Sequence, residues 1–393
     1  MTLRLRNLAR ALPALALGYV VARMFAGDVG GDGTLLDYLA IGTAQGAIYA
    51  FVALGYTMVY GVIRLINFAH GEFFMVGAFA GYFVLRDAGI EQLAWPQPWP
   101  LVASYAAALI AGALAAALLA LLAEALCYRP IRKAGRIAAL LTAVGLSLLL
   151  QNLARQWPPI GPTQRPWPAP RLWSVAADVP SPADGNYYEI RTFKSPSGES
   201  VDREKLVVAK GQRLTPANLQ RLEALPAPQV FRKGELSPAL VDRSIVLMLG
   251  LSTLVLWFLV QRTKTGKAMR AVSEDHAAAR LMGVNVNRVI AATFFLGAFL
   301  AGLGGVAFCA KYGQVDPLSG FMPGLKAFIA AVVGGIGSIP GAVVGGLFLG
   351  VSENLFAAYV STEWKDALAF VLLVAVLLSK PTGLLGRPYR EKI

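Results

Sequence analysis

The chain has few charged residues and very few of the residue types that carry enzyme chemistry. Of its 393 residues, 15% are charged, and it contains two cysteines and two histidines. Cys127 and Cys309 are too separated for a disulfide framework or a metal cluster, so we interpret both as packing residues. His70 and His276 lie in unrelated contexts, and no nucleophile–base pair or metal-ligand set emerges. These absences argue against an enzyme.

A nucleotide-binding loop is also missing. The glycine-rich segment "VVGGIGSIPGAVVGG" has no glycine-lysine-serine/threonine ending, and "TGKAM" around Lys267 lacks both the early glycine and the hydroxyl. The first segment instead predicts a broken or tightly packed helix pair. Because discontinuous helices can present backbone ends to a zwitterionic solute, Gly335 and Gly337 become candidates for a substrate path. No ring or relay of buried charge is evident, which argues against an ion channel or secondary carrier.

What the chain does contain is apolar sequence. It is 56% hydrophobic with 40 glycines, a profile typical of multi-span membrane proteins. A helix needs about 20 apolar residues to cross a hydrocarbon core about 30 Å thick. Ten runs near that length occur, at residues 11 to 25, 38 to 62, 68 to 86, 101 to 126, 137 to 154, 241 to 261, 289 to 310, 323 to 336, 341 to 360 and 366 to 379. The sequence therefore predicts an all-α multi-span integral membrane protein of about ten transmembrane or broken helices.

The basic residues predict how this chain lies in the membrane. The net charge of +13 comes from short loops rather than from one soluble face, so membrane orientation explains it better than nucleic-acid binding. The four basic segments are the N-terminus, "YRPIRKAGR", "QRTKTGKAMR" and the C-terminal tail, and ten crossings place all four in the cytoplasm. An acidic segment with Asp28, Asp32 and Asp37 suits the other side. The first run is either a cleavable signal or an anchor, and we favour the anchor.

Residues 155–240 break from this pattern and predict an extracytoplasmic insert between two membrane domains, 1–154 and 241–393. The insert starts as a strap rich in proline and tryptophan. Two segments, "NYYEIRTF" and "KLVVAKG", read as strands joined through a turn at "SPSG". "TPANLQRLEAL" reads as a helix capped by Thr215. The insert is therefore predicted to form a small α+β module, which either docks a soluble protein or covers the mouth of the substrate path.

The segment "SEDHAAARLMG", residues 273–283, predicts a short cytoplasmic helix. Ser273 is expected to cap its start, Glu274 and Asp275 to occupy the first turn, and Gly283 to close it. A helix of about nine residues is marginal in isolation and needs a partner surface. Two interpretations stay open from the residues alone, a peg that docks on another protein and an ordinary connection between two spans.

Polar residues within the apolar runs are the remaining candidates, because polar groups at membrane depth usually face the protein interior. Gln45 is a candidate for the path, and Asn67, His70 and Glu72 form either a membrane-edge cluster or part of the path. Lys326 is expected to snorkel to the interface. The other polar positions are Gln151 and Asn152, expected at the interface, and Glu353 and Asn354, as ready to pair within the protein as to touch substrate.

Longer blocks of sequence resemble a known family. "GTAQGAIYAFVALGYTMVYGVIRLINFAHGEFFMVGAF", "MGVNVNRVIAATFFLGAFLAGLGGV", "GFMPGLKAFIAAVVGGIGSIPGAVVGGLFLG" and "STEWKDALAFVLLVAVLLSKPTGLLGRP" closely resemble permease subunits of bacterial branched-chain amino-acid ABC transporters. The resemblance covers nearly the whole chain except the first run and residues 155–238. Within the loop at 262–288, the order Glu274, Ala277, Ala278, Gly283 resembles the Glu-Ala-Ala coupling loop of ABC importer permeases, with Asp275 and His276 inserted.

This resemblance implies a multi-pass inner-membrane subunit that lines half of a translocation path and has cytoplasmic termini. It implies a second homologous permease, two cytoplasmic ABC ATPases that use the ATP, and a periplasmic substrate-binding protein. The chain itself would bind no cofactor and no metal. Related permeases share this membrane sequence, so urea, short amides or another small solute are the alternative to a branched-chain amino acid.

Overall fold

Helices account for nearly all of the structure. The computed structural model describes residues 35–65, 67–90, 98–132, 134–168, 187–194, 200–208 and 238–386. The helices are α1 (Leu35–Ile63), α2 (His70–Asp87), α3 (Pro98–Ala123), a π-helical turn (Glu124–Tyr128), α4 (Arg129–Ile131), α5 (Arg136–Gln156), α6 (Pro238–Arg262), α7 (Lys264–Glu274), α8 (His276–Leu281), α9 (Val286–Tyr312), α10 (Phe321–Gly334), α11 (Ile339–Tyr359) and α12 (Lys365–Ser379). The strands are β1 (Arg165–Pro166), β2 (Tyr187–Lys194), β3 (Ser200–Val208) and β4 (Gln314–Val315).

Helix α1 lies at the centre of the bundle and packs antiparallel to α11. In its most apolar stretch, 83% of the residues are buried. A Cβ added to Gly46 would lie 2.7 Å from the Gly346 oxygen, and one added to Gly350 would lie 2.2 Å from the Gly46 nitrogen. Small residues allow such backbone contact in membranes, where dispersion rather than water drives helix association. The glycines of α1 and α11 therefore set how closely the two helices approach.

Two helices begin inside the bundle instead of at its edge. The ring of His70, the first residue of α2, lies against Gly55, which is eight residues before the end of α1. At about 1.5 Å per residue this places the start of α2 about 12 Å short of that end. Helix α10 begins at the same depth, because Gly71 and Gly320 are in reciprocal backbone contact. The starts of α2 and α10 thus meet within the bundle.

The glycine-rich segment forms a break between α10 and α11, as the sequence predicted. Gly335 ends α10 with a φ of 110°, and Ser338 caps α11 by accepting from the Gly341 amide at 3.2 Å. A later segment closes the break, since the amides of Leu384 and Leu385 donate to the carbonyls of Val333 and Gly334. Helix α10 has only 14 residues, fewer than the about 20 that a full crossing needs.

Each of the nine apolar runs after the first corresponds to a helix. Six helices are long and apolar enough to cross a membrane, within Leu35–Ile63, Val102–Ile131, Ile137–Gln156, Val241–Arg262, Val286–Tyr312 and Ile339–Tyr359. The run at 11–25 lies outside the described residues. The fold is therefore the predicted all-α multi-span membrane architecture, while the number of ten crossings stays a prediction.

Only parts of the insert are described. The start of the insert is attached to the helix bundle, because β1 pairs antiparallel with β4, the strand that follows directly after α9. Strands β2 and β3 form an antiparallel hairpin at the two segments predicted as strands, with a register shift near Tyr187. The turn at 195–198 and the helix predicted from Thr215 lie outside the described residues. The division into 1–154, 155–240 and 241–393, and the side on which the insert lies, stay predictions.

Candidate functional site

The segment predicted as one short helix forms the end of one helix and the start of another. Helix α7 ends at Glu274, and the six-residue helix α8 starts at His276. The N-cap is Asp275, whose Oδ1 accepts from the amides of Ala277 at 2.7 Å and Ala278 at 3.0 Å. The prediction that Ser273 caps the helix was therefore wrong, because the Ser273 hydroxyl donates to the Arg270 carbonyl within α7. A carboxylate at position 275 satisfies two amides at once.

Helices α7 and α8 are held firmly to the membrane helices. Arg64, directly after α1, donates to the Ser273 carbonyl at 3.0 Å, and His276 Nε2 lies 3.2 Å from the Val62 carbonyl oxygen. Arg64 adopts a left-handed φ of 59°, which is uncommon for a residue with a side chain. Met269 and Val272 of α7 are buried in the main core. These contacts attach α7 and α8 to the end of α1 and to the core of the bundle.

The end of α8 presents an apolar tip away from the bundle. Leu281 is 88% exposed and Met282 is 84% exposed. Ala277 and Ala278 are exposed as well, whereas Ala279 is buried. Gly283 has a φ of 81° with nothing near its Cβ position, so it ends the helix in the left-handed conformation that was predicted. A small exposed alanine face beside two large apolar side chains is suited to contact with another protein.

Glu72 lies in a buried polar cluster between α2 and α5. Its Oε1 accepts from Ser147 Oγ at 2.9 Å and from Gln151 Nε2 at 2.8 Å, while its Oε2 is buried with no hydrogen-bond partner among the described residues. Gln151, predicted at the membrane interface, is buried here instead, because it satisfies the carboxylate. Asn152, the next residue, is exposed and bonds to the Leu148 carbonyl of its own helix.

Asn67 and His70 lie on the other side of the α2 start. Asn67 Oδ1 accepts from the Tyr128 hydroxyl at 2.5 Å and from the Ala69 amide at 3.1 Å, which shapes the turn into α2. The His70 ring packs between Tyr56 and Phe73, with ring centroids 4.7 and 6.0 Å away. Asn67 Nδ2 and His70 Nε2 are buried with no hydrogen-bond partner among the described residues, so each of these side chains keeps one unsatisfied polar atom.

Gln45 belongs to a charged network between α1, α10, α11 and α12. Its Nε2 donates to Tyr49 Oη at 2.7 Å and to Glu353 Oε2 at 2.9 Å, and its Oε1 accepts from Asn354 Nδ2 at 2.6 Å. Lys326 lies 2.9 Å from Glu353 Oε1 and 2.7 Å from Asp366 Oδ1. Lys326 is buried, so its predicted snorkelling to the interface was wrong.

The two glycine candidates have different surroundings. Gly335 is buried, and a Cβ there would lie 2.3 Å from the Gly386 nitrogen, so it packs against a later segment of the chain. Gly337 is exposed, with no atom within 4 Å of its Cβ position. The structure does not bring the six path candidates together. It separates them into the Glu72 cluster, the Asn67–His70 contacts, the Gln45 network and the α10–α11 break.

Sequence reasoning missed Tyr49, Asp366 and Ser147 as members of these clusters. A usable signal was present for Asp366, because a lysine and acids in neighbouring apolar runs are expected to pair. Tyr49 and Ser147 gave no such signal, since tyrosine and serine are ordinary in membrane helices. Among the described residues, no three or more histidine, cysteine or acidic side chains are grouped so that they could hold a metal ion.

Comparison with known proteins identifies the family. The model for "Branched-chain amino acid transport system / permease component" matches residues 38–377. The high-affinity branched-chain amino acid transport system permease protein LivH of Salmonella typhimurium is 37% identical over 91% of this chain and 97% of its own length. The LivH protein of Escherichia coli K12 is 36% identical with the same coverage, and BraD of Pseudomonas aeruginosa is 34% identical over 91% of this chain and 98% of its own. No solved structure matches the chain. The chain therefore belongs to the family of permease components of branched-chain amino acid transport systems, and it is a multi-pass membrane protein.

Proposed function

We propose that this chain is the membrane-spanning permease of an ATP-driven importer for branched-chain or related hydrophobic amino acids. The observation that carries the proposal is similarity over 91% of the chain to LivH and BraD, whose names state this transport. Uptake of labelled leucine, isoleucine and valine by a deletion strain complemented with the full gene set tests it. Uptake of urea or a short amide, with no uptake of these amino acids, would overturn the proposed substrate.

The proposal includes partners and a location. A second homologous permease, two cytoplasmic ABC ATPases and a periplasmic binding protein would complete the importer in the bacterial inner membrane. ATP would be used by the ATPases, with no cofactor on this chain. Support comes from the basic loops, which favour cytoplasmic termini and a cytoplasmic loop at 262–288. Purification of this chain through an affinity tag, followed by identification of stoichiometric co-purifying subunits, tests the composition.

Coupling to the ATPases would use the surface of α7 and α8, where Glu274, Ala277, Ala278 and Gly283 lie. This proposal is supported by the exposed surface of α8 and by the contacts that join α7 and α8 to α1. The exposed tip at Leu281 and Met282 offers contact area, and the bonds to Arg64 and Val62 tie the same surface to α1. When the ATPases close, a docked α8 would move as a rigid body and tilt the attached membrane helices.

Reversal of the Glu274 charge tests this coupling. In the assembled transporter, Glu274→Arg should abolish substrate-stimulated ATP hydrolysis while membrane insertion and basal hydrolysis stay intact. Glu363→Arg is the matched control, since Glu363 is exposed and lies just before α12. Unchanged stimulation in the Glu274 variant would remove this residue from the coupling surface. A loss in both variants would indicate a general effect of the added charge.

Glu72 is the path candidate with the best support. A buried carboxylate with one unpaired oxygen can accept a substrate ammonium group, and Ser147 and Gln151 hold its other oxygen in place. Asn67 Nδ2 and His70 Nε2 are also buried without a hydrogen-bond partner among the described residues, but neither side chain is a carboxylate that could pair with an ammonium group. Gln45 and Gly335 have protein partners and would shape the path through packing, and Gly337 would contribute exposed backbone. Glu72→Gln keeps the side-chain shape and removes the charge.

The Glu72→Gln variant should lower the maximal uptake rate at least tenfold with normal amounts of assembled transporter. Asn152→Asp is a useful control, because it places a carboxylate on α5 at an exposed site outside the cluster. Uptake at the wild-type rate in Glu72→Gln would exclude a role of this charge in the path.

The proposed topology places residues 155–240 outside the cytoplasm. Leu318→Cys, after β4, should react in intact cells with a maleimide that cannot cross the inner membrane. Ala134→Cys, in the basic loop before α5 and outside the coupling surface, should react only after the cells are permeabilised. Both positions are exposed, so a difference in labelling reports sidedness rather than burial. The reverse labelling pattern would invert the topology.

A further inference from the structure

An apolar cleft lies between α2, α3 and α5. Its volume is about 630 Å³, within the range of small-molecule sites. The walls are aliphatic and aromatic side chains, among them Phe79, Phe83, Ala115, Leu150 and Trp157. Gln156 is the one polar side chain among its lining residues, and it lies at the end of α5. A ligand within these walls must therefore be hydrocarbon, because a polar group would lose its hydrogen bonds there.

The cleft opens beside surfaces suited to lipid. Leu114, Leu118 and Leu122 on α3 and Leu149 and Leu153 on α5 are each at least 41% exposed. Both helices are membrane spans by length and composition, and only 28% of the most apolar stretch of α5 is buried. Exposed leucines at this depth contact acyl chains in a bilayer. The cleft is thus bordered on both sides by lipid-facing helix.

Two arginines lie at the end of the cleft where α5 stops. Arg155 is exposed and precedes the lining residues Gln156 and Trp157. Arg165 donates from Nε to the carbonyl of Ile160, another lining residue, at 2.8 Å. Neither arginine forms an ion pair within the part of the chain that the structure describes. Tryptophan and arginine at a helix end are typical of the headgroup level of a membrane.

We propose that this cleft binds an anionic phospholipid. One acyl chain would fill the apolar space between α2 and α5, and the phosphate would lie at Arg155 and Arg165. The two features are independent and fit one molecule, since an anionic phospholipid joins an apolar tail to a negatively charged headgroup. Charge at the headgroup level adds about 1 kcal/mol per basic residue, which is about fivefold in affinity.

Such a lipid would act on the attachment of α5. The cleft lies between α5 and α2, and two of its lining residues adjoin the Glu72–Ser147–Gln151 cluster, since Met75 lies three residues after Glu72 and Leu150 directly precedes Gln151. The acyl chain would fill the space beside this cluster and hold α5 at a fixed distance from α2. Membrane lipid composition would then affect the position of the span that carries Ser147 and Gln151.

The test uses the complete transporter, purified with its partner subunits, stripped of lipid and titrated with phosphatidylglycerol or phosphatidylcholine. Native mass spectrometry counts the bound lipids. Wild type should bind one phosphatidylglycerol more tightly than any phosphatidylcholine. The double variant Arg155→Gln/Arg165→Gln should weaken that site about thirtyfold. Ala115→Trp, which fills the cleft, should remove the site. The controls Arg288→Gln and Ala107→Trp change exposed positions away from the cleft and should bind as wild type does.

A second measurement covers the possibility that Ala115→Trp does not fold. Benzoylphenylalanine placed at Leu150, which lines the cleft and is half-buried, should crosslink to phospholipid in native membranes. Crosslinking to a neighbouring protein subunit would overturn the proposal and make the cleft a protein interface. Equal phosphatidylglycerol affinity in wild type and in the double arginine variant would overturn it as well.

Discussion

The centre and the periphery of the bundle are held together by different physical means. Helix α1 is 83% buried in its most apolar stretch, and its glycines bring its backbone against α11 and α9. In the most apolar stretches of α5 and α6, 28% and 17% of the residues are buried, and α5 meets α2 through the Glu72 cluster and the apolar cleft. Helices in direct backbone contact have no space to shift against each other. Helix α5, which is joined to α2 by a polar cluster beside a cleft, has such space. The difference indicates which helices can shift during transport.

The largest loss of stability is expected when a side chain is added where two helix backbones touch at the centre of the bundle. Gly350→Leu should cost more than about 4 kcal/mol, because its Cβ would lie 2.2 Å from the Gly46 nitrogen and α11 would have to move. Gly250→Leu on peripheral α6 is the matched control, with no atom within 4 Å, and should leave stability unchanged or raise it. Thermal unfolding in detergent measures both. Similar melting temperatures would contradict the distinction.

Loss of a buried charge should have the next largest effect. Lys326→Met should destabilise by about 3–5 kcal/mol, because Glu353 is left buried without its counter-charge. Adding Glu353→Gln should recover a large part of that loss. Asp366→Asn should cost no more than about 1 kcal/mol, because the Asp366 side chain is 46% exposed. Additive effects of the Lys326 and Glu353 substitutions in a double-mutant cycle would show that the pair is not coupled.

A weaker perturbation tests the polar link of the periphery. Gln151→Leu should cost about 1–3 kcal/mol, since it removes a donor from the buried Glu72 carboxylate. Hydrogen exchange should show the effect mainly in α5, with little change in α1. Asn152→Leu, at the adjacent exposed position, should change stability by less than about 0.5 kcal/mol. Equal exchange rates in the two variants would argue against the Glu72 link.

The smallest expected effect concerns α7 and α8. Asp275→Ala should cost about 1 kcal/mol locally, because two amides of α8 lose their acceptor. Ser273→Ala should have no comparable effect on α8, since its hydroxyl bonds within α7. Hydrogen exchange of residues 276–281 separates the two variants. Faster exchange after Ser273→Ala, and not after Asp275→Ala, would restore Ser273 as the cap.

Much of the architecture was predictable because membrane spans obey a length rule. Apolar runs near 20 residues gave the helices, and the glycine density gave the break between α10 and α11. The depth at which α2 and α10 begin was not predictable, because it depends on contacts of Gly71 and Gly320 with distant helices. Periodicity within one helix holds no information on the depth at which that helix starts.

The surroundings of single polar residues were likewise not predictable from the sequence. Gln151 and Lys326 were expected at the interface from their positions near run ends, yet both are buried because an acid on another helix faces them. The cap of α8 was placed two residues early, because serine and aspartate are equally suitable N-caps and the sequence has both in one short segment. In each case the outcome depended on a hydrogen-bond or ion-pair partner that the spacing of residues alone does not reveal.

The pairing of α1 with α11 has a consequence for synthesis. The Gln45–Glu353 contact joins residues 308 positions apart, so α1 leaves the ribosome long before its closest neighbour exists. Until then the glycine face of α1 lacks its partner helix, and Gln45 and Tyr49, which bond to each other, lack the Glu353 carboxylate. A chain stopped before residue 339 should therefore keep an exposed polar stripe in the membrane, which quality-control proteases can recognise as unfinished.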